Sequence, residues 1–541
     1  MADFDYIVVG AGSAGCVLAN RLSADPSVRV LLLEAGGSDR KMNIRIPVGF
    51  AKQFRTDLDW NYMSEPEPSL IGRSMYLPRG RSLGGSSSMN AMIYIRGHRS
   101  IFDAWASEDG ADGWSYAEVL PYFKRSEHNE RIHDEYHGQG GELNVADPVW
   151  TSALSEPLIE SAQAHGIAPT DDFNGAEQEG VGKFQVTQKR GRRWSAADAF
   201  LHPVEDRPNL TVETGAHARR VLLEGGRAVG VEYDAKRSRE TARADREVIV
   251  SAGAYNSPQL LMLSGIGPAD HLREHGIEPA FDSPHVGRHL QDHPLMTMTW
   301  ECRDTKSLVD ATKPQHLLHY LVSRGKGMLS SNVAEAGAHV RIREGIEAPD
   351  FQLLCGAAYY FDNGFRTYPN PAFTLGPSFV RPTSEGEVRL RSADPHDKPA
   401  IHLGWFQDPE EMRAVVEAVR MCREIAESGP LGEVVVRNID PGPGVRADDQ
   451  IEAWVRAEAQ HTYHPSCTCR MGREDEGVLD PDLRVRGVEG LRVADASSMP
   501  RITSGNTNAP AIMIGEKAAD LVLAREPLPA AAVGEPAAAA V

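Results

Sequence analysis

Three glycines near the start of the chain, Gly10, Gly12 and Gly15, have the types and spacing to cradle an anion. They follow the apolar run Tyr6-Ile7-Val8-Val9 and precede Cys16-Val17-Leu18-Ala19-Asn20-Arg21-Leu22, whose apolar spacing is helical. In that setting Gly10 permits a tight turn and Gly12 lets a pyrophosphate approach the backbone at a helix N-terminus. Gly15 lets the helix pack closely on the strand. Glu34 ends the next apolar run, where a carboxylate accepts hydrogen bonds from an adenosine ribose. This pattern does not decide which dinucleotide is bound. A second stretch, Gly80-Arg81-Ser82-Leu83-Gly84-Gly85-Ser86-Ser87-Ser88-Met89-Asn90, leaves backbone N–H groups and small hydroxyls free to wrap an anionic ligand. The cysteines Cys16, Cys302, Cys355, Cys422, Cys467 and Cys469 lack the spacing of a metal or redox site. They read as reduced thiols, Cys467 and Cys469 have no assigned role, and no metal site is expected.

The elements that position these residues are those of a mixed α/β protein. Residues 6–9 and 28–33 are strands flanking the first helix, a βαβ unit. Further strands are expected at 247–250, at 387–391 (half-exposed, from its alternation) and at 491–494. Helices are expected at 410–427 and about 512–524. The Pro- and Ala-rich segment 526–541 has little apolar content and is expected to be disordered. At 541 residues the chain can bury an ample core without disulfides. Its net charge of −19 argues against nucleic acid as a partner, which needs a basic face. An acidic N-terminus and the lack of about 18 uninterrupted apolar residues suggest a soluble, cytoplasmic protein with no integral membrane segment. Peripheral membrane association stays compatible with the sequence.

Several longer stretches together resemble the glucose–methanol–choline (GMC) oxidoreductases, FAD-dependent enzymes that oxidise alcohols. The segment 80–90 looks like the family's first signature. Gly253-Ala254-Tyr255-Asn256-Ser257-Pro258-Gln259-Leu260-Leu261-Met262-Leu263-Ser264-Gly265-Ile266-Gly267 looks like its second. Val286-Gly287-Arg288-His289-Leu290-Gln291-Asp292-His293, Tyr463-His464-Pro465 and Asn506-Thr507-Asn508 match further family elements. The resemblance implies an FAD-binding Rossmann-like domain from the discontinuous segments 1–160, 208–305 and 465–525. It also implies a substrate domain, 161–207 and 306–464, with an antiparallel sheet flanked by helices. By position, Gly10, Gly12, Gly15 and Glu34 would hold the ADP half of FAD, with the Val221 backbone against the adenine. Arg81, Gly84, Gly85 and Asn90 would follow the pyrophosphate and flavin, and Asp495, Ala496, Asn508 and Ala509 would lie near the flavin ring. Some relatives attach FAD through a histidine in the first signature. Here that position is Met89, so non-covalent FAD is expected.

The implied catalytic pair is His464 as base and Asn508 as hydrogen-bond donor to the alcohol oxygen. His289 and His293 read as structural or supporting. For the substrate, the family positions give Trp60, Glu301, Leu354 and Tyr463. Glu301 with the aromatics Trp60 and Tyr463 would suit choline, since cations sit well over aromatic rings. Leu354 suits a less polar alcohol, and the resemblance extends to dehydrogenases of both kinds. The expected reaction is oxidation of a primary alcohol, choline or aliphatic, to an aldehyde. The electron acceptor, oxygen or a quinone, and the oligomeric state are open. The rival readings are an FAD-containing hydroxynitrile lyase and a flavoprotein without catalysis.

Overall fold

The computed structural model describes residues 3–236, 238–303, 307–532 and 534. A buried parallel sheet forms first from strands with almost no polar residues. Val30–Glu34 is buried throughout, as a strand covered on both faces requires. It pairs in parallel with Phe4–Val9 on one side and Leu210–Thr214 on the other. Phe4–Val9 in turn pairs in parallel with the end of the long strand Ser238–Val250, and Leu491–Val493 adds to that strand's other edge. The exposed first half of Ser238–Val250 runs antiparallel to Arg227–Ala235, which continues antiparallel to His217–Glu224.

Helix Ser13–Leu22 packs on this sheet, and helix Asn508–Val522 packs against that helix. The second starts at Asn508, before the position its apolar spacing suggested. Pro510 lies in its first turn, where the missing N–H has no intrahelical partner to lose. Its Gly515 sits so close to Ala14 that a Cβ would fall 2.9 Å from the Ala14 Cα. The next residue, the buried Glu516, accepts from Arg21 at 2.6 Å and from Arg125 at 2.7 Å. Arg125 also reaches Asp520 at 2.7 Å, tying helix Tyr116–Ser126 to the same cluster.

The second sheet is antiparallel. Its strands run in the order Val435–Asp440, Met298–Cys302, Ala372–Phe379, Phe351–Gly356, Ala334–Val340 and Gly180–Lys183. The short strands Pro294–Leu295 and Gln460–His461 pair with each other and join it through Ala372–Phe379. Ala372–Phe379 is buried along its length, and helix Pro409–Glu427 packs over it with Asp408 as N-cap.

Several details differ from the sequence expectations. Met298–Cys302 and Pro294–Leu295 lie in the antiparallel sheet, although the division at 305 grouped them with the dinucleotide-binding segments. The π-helix Ala197–Leu201, grouped with the substrate segments, packs on helix Ser13–Leu22 and its core. Strand Glu387–Arg389 is half-exposed as its alternation suggested, but it pairs only with Ala400–His402, outside both large sheets. Within 526–541, the Ala531 N–H donates to the Ala117 carbonyl at 2.8 Å and the Leu528 N–H to the Tyr122 hydroxyl at 3.2 Å. That stretch is therefore tethered, where disorder was expected; residues 533 and 535–541 lie outside the described residues. No helix among the described residues is long and apolar enough to cross a membrane.

Removing Glu516 would leave two guanidinium groups facing each other across the helix contact. Because both arginines keep some solvent, Glu516→Ala should cost about 2–3 kcal/mol, below the full penalty for breaking a buried ion pair. The expected readout is a lower urea midpoint with an unchanged slope. An unmoved midpoint would contradict this account of the helix contact.

Candidate functional site

A cavity of about 330 Å³ runs from Gly10, Gly12 and Glu34 at the parallel sheet to Leu354, Tyr463 and His464 beside the antiparallel one. Its first end is built from helix starts and close backbone approaches. Gly10 has φ 102°, and a Cβ there would meet the Ser251 carbonyl oxygen at 2.4 Å. A Cβ on Gly15 would come within 1.9 Å of the Gly10 carbonyl oxygen, so only glycine lets this helix meet its strand. At Gly12 the same addition meets nothing nearer than 3.9 Å and would occupy cavity space beside the helix N-terminus. Glu34 accepts from the Ala11 N–H at 2.9 Å and the Gly36 N–H at 2.8 Å. Burial pushes its carboxyl up to about 7 against the pull of those N–H groups.

The glycine- and serine-rich loop closes over this end. Gly84 has φ 84° and donates to the Ala11 carbonyl at 2.8 Å, and Gly85 approaches Gly12 closely enough to exclude a Cβ. Asn90 lines the cavity, with its Oδ1 accepting from Arg193 at 2.8 Å. The buried Arg193 also holds the Ser87 and Asn90 carbonyls, clamping the loop. Asp495 and Ala496 line the cavity too. The Asp495 carboxylate is occupied by Gly253, Ser257 and Ser497, so its side chain supports the wall. Helix N-termini at Ser13 and Asn508, open space at Gly12 and a carboxylate at Glu34 together fit the diphosphate and ribose of FAD.

At the other end His464 is held by three contacts. Its N–H donates to Asp292 Oδ1 at 2.8 Å, its Nδ1 lies 3.0 Å from His293 Nδ1, and its Nε2 lies 3.1 Å from Asn506 Nδ2. Asp292 Oδ1 also accepts from the His293 N–H at 2.8 Å. Arg79 donates to the Tyr463 carbonyl at 2.7 Å, fixing the peptide that carries His464. Tyr463 itself has φ 67°, a left-handed conformation whose cost is about 1–3 kcal/mol and which its neighbours must sustain. Burial, and next the His293 imidazole, hold His464 well below the ordinary histidine pKa of 6.5. It is therefore neutral at neutral pH. Since the Asn506 amide donates to Nε2, the imidazole proton resides on Nδ1, facing His293.

Asn506, not Asn508, is the carboxamide beside the imidazole. Asn508 lines the cavity at the start of its helix, where its Oδ1 accepts from Ser13 at 2.8 Å. The resemblance assigned that place to Asn508 by position, two residues further along the chain. Gln352 supports Asn506, donating to its Oδ1 at 3.2 Å. Val221 is not on the cavity. Its N–H donates to Ser264 at 2.8 Å, and Ala216, His217 and Ala218 face the cavity at that strand. Arg81 packs its guanidinium over Trp60 and, with Gly84, shapes the cradle from behind the lining residues. Ala509 is buried in the core behind Asn508.

The expected cation cage is not assembled. Glu301 is absent from the lining and is bound by Tyr368 at 2.6 Å, Asn370 at 2.8 Å and Arg437 at 2.9 Å. Trp60 lines the cavity, but its ring neighbours are Tyr62 and His217. Tyr463 instead joins Phe50, Phe54, Tyr76, Met89, Val333 and Tyr360 in one cluster. Leu354 lines the cavity beside them. Cys467 and Cys469 are buried, unpaired thiols, and burial raises both well away from ionisation.

Met89 is buried and lines the cavity where relatives of the resembling family carry an attached histidine. Acid precipitation of the holoprotein should therefore leave the yellow colour in the supernatant; colour in the pellet would show a covalent bond.

Comparison with known proteins shows the family. The N- and C-terminal family models described as GMC oxidoreductase match residues 4–295 and 382–515. An alcohol dehydrogenase [acceptor] of Pseudomonas putida is 44% identical over 528 residues, covering 96% of each chain. The mitochondrial choline dehydrogenase of Mus musculus is 43% identical, covering 96% of this chain and 89% of that one. Among solved structures, a pyridoxine 4-oxidase from Mesorbium loti superposes with a TM-score of 0.89 at 32% identity, covering 97% of this chain and all of that one. A formate oxidase of Aspergillus oryzae RIB40, described for its FAD modification, has a TM-score of 0.91 at 28% identity and covers 97% of this chain and 99% of that one. The chain belongs to the GMC oxidoreductases, a family whose cofactor is FAD and whose members act on CH–OH groups.

Proposed function

We propose that the protein oxidises a primary alcohol with an uncharged, apolar chain to the aldehyde. Bound FAD supplies the hydride acceptor. The observation that carries the substrate class is the wall beyond His464. Phe50, Phe54, Val333, Leu354, Tyr360 and Tyr463 line it, while the Glu301 carboxylate is bound outside the lining by Arg437, Tyr368 and Asn370. The aromatic faces of that wall could attract a trimethylammonium group, but with no carboxylate in the lining it would lose water and gain no counter-charge, a cost that an alkyl chain does not carry. The name of the P. putida relative, alcohol dehydrogenase [acceptor], supports an alcohol as the substrate.

The side chains perform the proton chemistry. His464 Nε2 offers a lone pair, and Asn506 Nδ2 offers an N–H, 3.1 Å apart. An alcohol oxygen bridging the two would donate its proton to the imidazole and accept from the amide as negative charge develops. Asp292 and Arg79 keep the imidazole in place through the backbone. Asn508 and Ser13 serve the cofactor end.

His464→Ala should retain FAD and lose about 10²–10⁴ in flavin reduction rate. Asn506→Ala should slow the same step, whereas Asn508→Ala should change FAD retention more than reduction. The opposite ranking of the two asparagines would overturn the assignment. The parent's kcat/KM should stay level as pH falls through 6.5, because His464 protonates only well below that value.

A panel of choline and medium-chain primary alcohols, mixed anaerobically with the holoenzyme, tests the substrate class. Medium-chain alcohols should bleach the flavin in preference to choline. Preference for choline would reject the apolar reading, and no bleaching by any alcohol would favour the lyase or non-catalytic alternatives. Repeating the active cases with oxygen and with a quinone-like dye identifies the acceptor.

A further inference from the structure

The catalytic imidazole has a second polar neighbourhood behind it, on the side away from the cavity. His293, whose Nδ1 lies 3.0 Å from His464 Nδ1, is fully buried. Its Nε2 makes no hydrogen bond of good geometry, although the Thr503 and Val380 backbones lie within bonding reach of the ring. The Thr503 hydroxyl is also buried and unpartnered. On the antiparallel sheet, His339 stands directly opposite Gln352. Gln352 reaches Asn506 through its amide nitrogen while its Oε1 is left without a partner. His339 is fully buried with neither ring nitrogen bonded, although an imidazole always carries a donor. Its electrostatic neighbours are His98 and His293. His98, the outermost of these three imidazoles, is 8% exposed and bonds Ser100 at 2.8 Å.

Such a concentration of buried, unsatisfied polar atoms is rare in folded proteins and calls for ordered water. None of His293, His339 or Thr503 lines the cavity, so these atoms are not waiting for the alcohol or the cofactor. The groups are uncharged, because burial lowers His293 and His98 to about 4 and His339 to about 3. Neutral imidazoles joined by water each present one N–H and one lone pair, the requirement for handing a proton along.

We infer that the polar pocket formed by His293, Thr503 and His339 is the exit by which the alcohol's proton leaves the buried active site. This rests on the alcohol-oxidation reading above. In the reaction the alcohol O–H breaks with its proton going to His464 Nε2. The C–H breaks with its electron pair going as hydride to FAD, and the C=O double bond forms. One proton is then surplus. His464 releases its other proton from Nδ1 to His293 Nδ1, and His293 passes on the one at Nε2 toward Thr503, His339 and the surface near His98. His339 touches neither substrate nor cofactor and acts through His293.

Anaerobic stopped-flow mixing of holoenzyme and alcohol, in weak buffer with a pH-indicator dye, reads flavin bleaching and proton release in the same shot. In the parent the two signals should coincide. In His339→Leu bleaching should keep its rate while proton release trails it by tenfold or more. Thr503→Val, nearly isosteric, should show a smaller lag of the same kind and serves if the leucine variant does not fold. Coincident signals in the folded variants would overturn the exit. If no alcohol bleaches the parent, the oxidation reading fails and this assignment with it. Independently of turnover, a high-resolution crystal structure should place water between His293 Nε2, Thr503 Oγ1 and His339; a dry pocket there would also overturn it.

Discussion

The buried carboxylate of Asp292 is the constraint on which the reaction end of the molecule depends. One of its oxygens accepts the N–H groups of both His293 and His464. Residues far apart in the sequence are thereby forced into one geometry, with their imidazoles 3.0 Å apart. The cost of burying this charge is opposed chiefly by the His461 side chain and further by the Arg79 charge, and the net effect holds its pKa below the ordinary carboxylate value. The same bond sustains the left-handed backbone at Tyr463, which aims His464 into the cavity. Asp292 lies two residues before the strand Pro294–Leu295, and His464 lies just past Gln460–His461, the strand paired with it. The carboxylate thus locks the loop that carries His464 to the antiparallel sheet at that corner.

The two ends of the cavity rest on different physics. The cofactor end is backbone chemistry, in which glycines allow close approach and helix starts point their N–H groups at an anion. Its charged side chains largely brace the walls, as Asp495 and Arg193 do. The reaction end is side-chain chemistry in an apolar setting, where the low polarity keeps His464 neutral. In the proposed reaction, a base that is already neutral and already oriented needs no rearrangement before it takes a proton.

Much of the first end was legible in the sequence, because it depends on local order. The run from Tyr6 to Leu22 and the glutamate at 34 contain a whole βαβ unit, and the structure places Gly10, Gly12 and Glu34 on the cavity as their spacing implied. The second end depends on contacts between distant segments. Choosing Asn506 over Asn508 requires knowing where a helix begins, and Pro510 obscured that start. Glu301 stands on a strand whose neighbour Arg437 is 136 residues away, so its ion pair could not be foreseen from local spacing. Val221 and Ala218 share one strand, and a shift in position decides which faces the cavity. Met298–Cys302 was misgrouped for the same reason, since pairing partners rather than chain order decide sheet membership.

The antiparallel sheet also separates two kinds of variation. Leu295, Leu354, Thr374 and Gly376 reach the cavity from strands of that sheet, while the glycine cradle belongs to the other layer. A replacement at one of those positions reshapes the room for the alcohol and leaves the diphosphate's seat untouched. Such an arrangement lets a lineage explore new alcohols by single steps, each intermediate still holding its flavin and therefore still exposed to selection.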